Sequence, residues 1–341
     1  MNGKAIFRKT DLQSASIFCY YNQKADGLTV LSEALVRGTD FCGGGQLVAL
    51  DYALIKNWQI AEATQQYTRK DAILYALGLG AANTNPVAAD DLQFVYELKL
   101  NALPTFATLL AGSGDWMADP RLAIDLNKVL HGEQFLTIHR PLPPEGAVIG
   151  REMVQEIYDK GADKGAVLYM SREVRNAATG DLLATSGWSV FMRGNGGFGG
   201  TATGQPTPHA LPADRLPDAS IDLTTRPEQA VLYRMSGDTN PLHIDPKIAT
   251  AVGFDKPILH GMCTYGIAGR AILKLCCDND AARLRKLNVR FASPVYPGET
   301  LRTEIWKLTP GQVAFRVKVV ERDLVVLNNG YAEFVLPAQS N

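Results

Sequence analysis

The sequence predicts an α+β protein made of one domain used twice, each copy an antiparallel sheet curled around a central helix. Three observations carry this. Short motifs recur in the same order in the two halves, strand-like alternation follows a helix-like stretch in each, and a Gly/Pro-rich segment lies between them. With 341 residues, 46% hydrophobic and 20% charged, the chain can fill two cores of ordinary size, since one domain takes roughly 100–200 residues.

In the first half, residues 73–78 (Ile-Leu-Tyr-Ala-Leu-Gly) echo 231–237 (Val-Leu-Tyr-Arg-Met-Ser-Gly). Each copy follows a helix start signal, Thr68 in one and Thr225 ahead of Pro227 in the other. Residues 136–143 echo the run from Leu287 to Phe291 that leads to Pro294 and Pro297. The stretch from Leu103 to Leu110 reads as the first half's helix, and residues 165–193 as its alternating strands. From Gly194 to Asp218 glycine, proline, threonine and alanine dominate, which predicts a linker. Its glycines lack the Gly-Lys-Ser ending of a phosphate-binding loop. In the second half, residues 261–277 give one helix that is apolar almost all round, with Gly266, Ala268, Gly269 and Ala271 small enough for close packing. Val313, Phe315, Val317 and Val319 then alternate with polar or small residues, the period of a half-buried strand. The expected division is an extension over 1–48, a first domain over 49–193, a linker over 194–220 and a second domain over 221–341.

A net charge of -1 provides no general field for nucleic acid or an anionic membrane, so an anionic substrate needs a local basic patch. The five cysteines (Cys19, Cys42, Cys263, Cys276 and Cys277) include no Cys-x-x-Cys spacing, which argues against a disulfide framework or a zinc site. No apolar run approaches the roughly 18 residues of a membrane span. The first residues lack a signal-peptide pattern, and the last are not a Ser-Lys-Leu address. A cytoplasmic protein is expected.

The segment from Tyr233 to Pro246, with residues 257–261 (Pro-Ile-Leu-His-Gly), concentrates the chemistry. Gly237 ends a helix, and Pro241 and Pro246 interrupt any continuation, so the loop fixes its side chains by turns. Asp238 and His243 can then face one water molecule, with the amide of Asn240 bonded to the water or the carboxylate. A carboxylate beside a neutral imidazole can take one proton and return another, as moving H and OH to adjacent carbons requires. The helix opened by His260 and Gly261 supplies N–H groups and a dipole for negative charge developing on a thioester oxygen. Ser-Gly-Asp-x-Asn-Pro is also good turn chemistry by itself. His260 reads as a structural residue at a helix start, and Cys263 as a packed thiol. Arg283, Arg285, Lys286 and Arg290 form a basic run open to two readings, a phosphate site or a solvated strand face.

These motifs resemble the hydratase 2, or MaoC-like, family of (R)-specific 2-enoyl-CoA hydratases. Residues 233–246 and 257–261 are similar to its signature, and residues 289–301 to the strand and turn that follow. Residues 94–97, 103–106, 129–134 and 196–199 resemble the N-terminal half of two-domain members, while residues 1 to about 48 match nothing in the family. The resemblance implies a double hot-dog fold with the active site in the second half. It places the family's catalytic residues on Asp238, Asn240 and His243, and its oxyanion-hole glycine on Gly261. It also implies syn addition of water to a medium- or long-chain enoyl-CoA to give a (3R)-hydroxyacyl-CoA. The first half has Leu79-Gly80-Ala81-Ala82-Asn83 where acid and histidine would stand, so it is expected to be catalytically dead and to make room for the acyl chain. Glu97 is carried over as a supporting residue. No metal or redox cofactor is implied, coenzyme A enters as part of the substrate, and a homodimer is expected.

Two other functions compete. A hot-dog thioesterase would place an acid on the central helix, and residues 261–277 contain none. A non-catalytic acyl-CoA-binding protein would have no need of Asp238, Asn240, His243 and Gly261 together.

Overall fold

The computed structural model describes residues 50–337; the expected extension over 1–48 lies outside the described residues. In the first half, α1 (Tyr52–Lys56), β1 (Ala63–Tyr67), α2 (Arg69–Gly78) and α3 (Leu92–Val95) precede β2 (Val129–Ile138), β3 (Gly146–Asp159), β4 (Ala166–Asn176) and β5 (Leu182–Met192). The second half contains β6 (Ala219–Thr224), α4 (Gln229–Tyr233), α5 (Pro246–Ala251), α6 (Gly261–Cys276), β7 (Leu284–Phe291), β8 (Thr300–Lys307), β9 (Gln312–Val319) and β10 (Leu324–Phe334). Thr68 starts α2 by a reciprocal capping box with Asp71, which satisfies two donors the helix cannot pair internally. Residues 195–218 hold neither helix nor strand.

The strands form one ten-stranded sheet in the order β1-β3-β4-β5-β2-β7-β10-β9-β8-β6. From outer edge to centre the halves run β1-β3-β4-β5-β2 and β6-β8-β9-β10-β7, the same order, as duplication requires. They join where β2 and β7 pair antiparallel, with Leu136 opposite Leu287. Those two leucines begin the pair of echoing segments in the sequence. The shared ladder stops at Glu133 opposite Arg290, whereas β2 runs on to Val129 beside β5. Beyond that point the sheet parts.

Helix α6 is buried from Cys263 to Leu273. Its small residues admit the first half: a Cβ on Gly266 would stand 2.6 Å from Leu79, and one on Gly269 2.7 Å from Thr105. The helix expected from Leu103 to Leu110 is shorter, a 3-10 stretch over Pro104–Thr108. Ala111 takes a left-handed φ of +52°, and the β3 backbone at Gly150 crosses so close to it that a Cβ there would overlap the Ala111 carbonyl. Close packing leaves no room for a longer helix in this half.

One apolar cluster runs through both halves, including Tyr75, Phe106, Leu136, Tyr233, Ile267, Leu287 and Phe315. Within it Arg270 of α6 pairs with Asp91 of the first half at 3.0 Å and donates to the Leu79 carbonyl at 2.8 Å. A second cluster under the first half gathers Leu50, Ile55, Leu122, Leu168 and Trp188.

Candidate active site

Gly237 takes φ +121° and closes the turn after α4, a conformation that favours a residue without Cβ. Asp238 Oδ1 then accepts the Asn240 N–H at 3.2 Å. Asn240 Oδ1 in turn accepts the Leu242 N–H at 3.0 Å, capping a 3-10 turn over Pro241–His243. Asp245 caps α5 the same way, accepting the Lys247 N–H at 2.8 Å. Pro241 and Pro246 open these turns rather than break helices, because the first residue of a helical turn has no internal partner for its N–H.

His243 Nδ1 lies 2.8 Å from the Ile258 carbonyl. A carbonyl only accepts, so the neutral ring carries its proton on Nδ1 and its lone pair on Nε2. His260 Nε2 lies 3.1 Å from the Asp238 carbonyl and donates to it by the same argument. The two imidazoles stack with centroids 3.7 Å apart and planes at 29°. Among the described residues Asp238, His243 and His260 form a group whose carboxylate and ring-nitrogen atoms all lie within 4.8 Å of one another.

Burial governs the charges of this group. It raises the Asp238 carboxyl above its ordinary range, opposed by the nearby His243. Burial likewise lowers His243, opposed by Asp238, and it holds His260 well below the usual imidazole value, reinforced by His243. Desolvation thus favours neutral imidazoles. A carboxylate and a neutral imidazole this close can exchange a proton.

Gly261 opens the 16-residue helix α6, whose first amides have no carbonyl four residues back to bond. A Cβ at Gly261 would come within 3.3 Å of the Phe291 ring. A cavity of about 520 Å³ begins here, lined at this end by Ile258, Leu259, Gly261, Thr264 and Phe291. His243 stands one contact behind that wall through its bond to Ile258, and Asp238 through the His260 that precedes Gly261.

Comparison with known proteins decides the family. A model of the MaoC like domain matches residues 209–329, and one of the MFE-2 hydratase 2 N-terminal domain matches residues 65–194. The probable enoyl-CoA hydratase 2 of Dictyostelium discoideum is 39% identical, covering 84% of this chain and 97% of that one. The chain belongs to the MaoC-like hydratase 2 family. The peroxisomal multifunctional enzyme type 2 of Mus musculus is 42% identical over 80% of this chain, which spans 37% of that longer protein. A crystal structure of a MaoC-like dehydratase from Phytophthora capsici superposes with a TM-score of 0.73 at 36% identity, covering 84% of this chain and 99% of that one. The ten-stranded arrangement is this family's double hot-dog fold.

In this family member the expected binding residues divide. Arg290 lines the cavity. Arg283 does not; it ties the end of α6 to the last strand, bonding the Cys276 and Val335 carbonyls and Asp278. Arg285 donates to the Ala282 carbonyl at 2.6 Å, and Lys286 pairs with Glu333 at 3.0 Å. Arg285 faces away from Arg290 on β7, and Lys286, on the same side as Arg290, lies four residues or roughly 13 Å along the strand, so the basic run does not converge on one pocket. Glu97 is exposed on the loop after α3 and is not on the cavity wall. Cys263 is fully buried with its thiol raised well above the usual range by burial, a packed residue.

The loop after α2 makes packing contacts where the loop after α4 carries Asp238 and His243. Asn83 accepts from Arg226, Leu79 from Arg270, and Gly78 from Gln229. Residues 79–83 carry no acid or imidazole. The residues that sequence reasoning missed are on the far wall of the cavity: Glu133, Lys160, Tyr169, Ser189 and Arg193. One signal was available, the single acid in β2, within the segment 129–134 that resembles the family.

Proposed function

We propose that the chain is an (R)-specific trans-2-enoyl-CoA hydratase that adds water syn across the double bond of a medium- or long-chain substrate, reversibly, giving a (3R)-hydroxyacyl-CoA. The observation that carries this reading is the Asp238–His243 group held beside the N-terminus of α6, with the His243 lone pair fixed on Nε2. Asp238 and His243 together take a proton from one water as its oxygen bonds the β-carbon, and return a proton to the α-carbon. Electron density that moves onto the thioester oxygen meets the amide of Gly261, with the helix dipole behind it. Asn240 holds Asp238 by its backbone N–H and sets the turn that carries His243. The names of the relatives support the reaction, and the inert loop at 79–83 supports a first half devoted to substrate binding.

The assay is loss of enoyl-thioester absorbance with trans-2-decenoyl-CoA for wild type and Asp238→Asn, with chiral analysis of the product. A (3R)-alcohol formed by wild type alone supports the reading; no hydration of this or of short and branched enoyl-CoAs by wild type sinks it. A thioesterase is disfavoured because α6 carries no acid. A homodimer, checked by sedimentation, and a cytoplasmic location, checked by imaging against the peroxisome, belong to the same proposal. No helix of the described residues is long and apolar enough to cross a membrane.

A further inference from the structure

The Gly-Gly-Phe-Gly motif at 196–199 opens the linker and has no part in the chemistry at Asp238. Three consecutive residues at the end of β3 grip this segment. The Tyr158 hydroxyl donates to the Gly204 carbonyl at 2.8 Å. The Asp159 N–H donates to the Thr201 carbonyl at 2.9 Å, and the Lys160 ammonium donates to the Ala202 carbonyl at 2.7 Å. The Asp159 carboxylate adds most: Oδ1 accepts the N–H groups of Gly161 and Gly197, each at 2.8 Å, and Oδ2 accepts that of Gly199 at 2.7 Å.

Asp159 is 6% exposed, and its charge is met by converging backbone amides, the arrangement of an anion-binding nest. Gly197 and Gly199 supply their amides from the left-handed region, at φ +85° and +84°, where a side chain would be strained. Phe198 between them packs on the second core and stacks on Tyr52 with centroids 6.1 Å apart. The far end of the segment is pinned to the second half. There the His209 carbonyl accepts from Asn329 Nδ2 at 2.8 Å, and the His209 ring stacks on Tyr331 of β10 at 4.7 Å. Only Gln205 to Pro208 stand between the two pins, and Gln205, Pro206 and Pro208 line the cavity that begins at Gly261. Two prolines in so short a span fix its backbone, so the pins decide where it sits.

We propose that Asp159 is a positioning residue for the reaction. It latches the linker to the first half as a strap, and the strap sets Gln205, Pro206 and Pro208 against the bound substrate. A carboxylate suits the task, because a hydrogen bond from an N–H to a charged acceptor is about twice as strong as a neutral one. Glycines offer little side chain to hold, so the grip falls on their amides. The proposal rests on the hydratase reading for the substrate that the cavity takes.

The test compares wild type, Asp159→Asn and Asp159→Ala in the full chain. Chymotrypsin cutting after Phe198, followed by mass spectrometry, reads release of the strap. Kinetics with trans-2-decenoyl-CoA and calorimetry with decanoyl-CoA read its effect on the site. Asp159→Ala should speed the cut and raise KM by about ten-fold each, the scale of one lost hydrogen bond to a charged group, with kcat held. Asp159→Asn, which keeps one accepting oxygen, should fall between. Unchanged cutting in Asp159→Ala overturns the latch. Faster cutting at wild-type KM and wild-type decanoyl-CoA affinity makes the latch merely structural and overturns the positioning role. Should Asp159→Ala fail to fold, Tyr158→Phe, which removes only the bond to Gly204, must raise KM in the same direction; wild-type KM there overturns the proposal. A protein that hydrates no ester, but in which Asp159→Ala speeds the cut and weakens decanoyl-CoA binding, keeps the strap and loses the hydratase reading alone.

Discussion

His260 stacks on His243 at 3.7 Å while donating to the carbonyl of Asp238, so one buried ring positions both members of the proposed proton-exchanging pair. Residues 238 and 243 belong to the loop, and 260 to the start of α6. The loop and the helix N-terminus are thereby locked together. His260→Leu keeps the volume and removes the hydrogen bond, leaving a buried carbonyl unpaired at a cost of about 1–3 kcal/mol. The expected outcome is a fall in kcat with KM little changed and a lower unfolding midpoint. A variant with wild-type kcat would remove His260 from the positioning role.

Removing either partner of the pair should abolish most turnover. Asp238→Asn and His243→Gln are each expected to lower kcat by about 10²–10⁴-fold with substrate binding retained. Steady-state kinetics and equilibrium binding of the saturated acyl-CoA check this. Because the two act as one unit, the double variant should be little worse than the singles.

The oxyanion position is sterically tight. Gly261→Ala places a methyl 3.3 Å from the Phe291 ring and obstructs approach to the amide, so kcat should fall by about 10²-fold, the scale of one lost donor. In a Gly261→Ala/Phe291→Leu double variant part of that loss should return. No recovery would place the effect in the helix rather than in the approach of the carbonyl.

The pH profile follows from burial. The proposed mechanism requires Asp238 ionised and His243 neutral. The Asp238 carboxyl is raised and His243 is lowered, each by desolvation, so in the proposed mechanism the acid limb belongs to Asp238 and lies above the ordinary carboxylate value. Activity should rise with pH as Asp238 ionises. The kcat/KM profile of wild type measures it. A limb at or below the ordinary carboxylate value would contradict the assignment.

Stability should depend on a pair that crosses the two halves. Asp91→Ala removes the counter-charge of the Arg270 guanidinium, 5% exposed, leaving it the Leu79 carbonyl, and breaking such a buried pair costs about 3–5 kcal/mol. Denaturant unfolding measures the loss. Asp91→Asn, which can still accept a hydrogen bond, should lose less.

Much of this was legible in the chain because it is local. Asp238, Asn240, His243 and Gly261 lie within one short stretch, where glycine and proline fix the turns and capping side chains fix the helix starts. The duplication was legible too, since Leu136 and Leu287 begin echoing segments and meet across the seam. Alternation identified β9, whose valines and Phe315 are buried. What only the tertiary structure decided involves residues distant in sequence. Whether Leu103–Leu110 could become a full helix depended on the space left by α6 and β3, which no local propensity encodes. Among Arg283, Arg285, Lys286 and Arg290, strand direction and neighbours left only the last on the cavity. Glu133, Tyr169 and Ser189 come from three strands and meet because those strands are adjacent in the sheet. The sequence by itself determined the turns and the helix start that bring Asp238, His243 and Gly261 together; long-range strand pairing decided which side chains share the cavity beside them, because that depends on register and packing between segments more than a hundred residues apart.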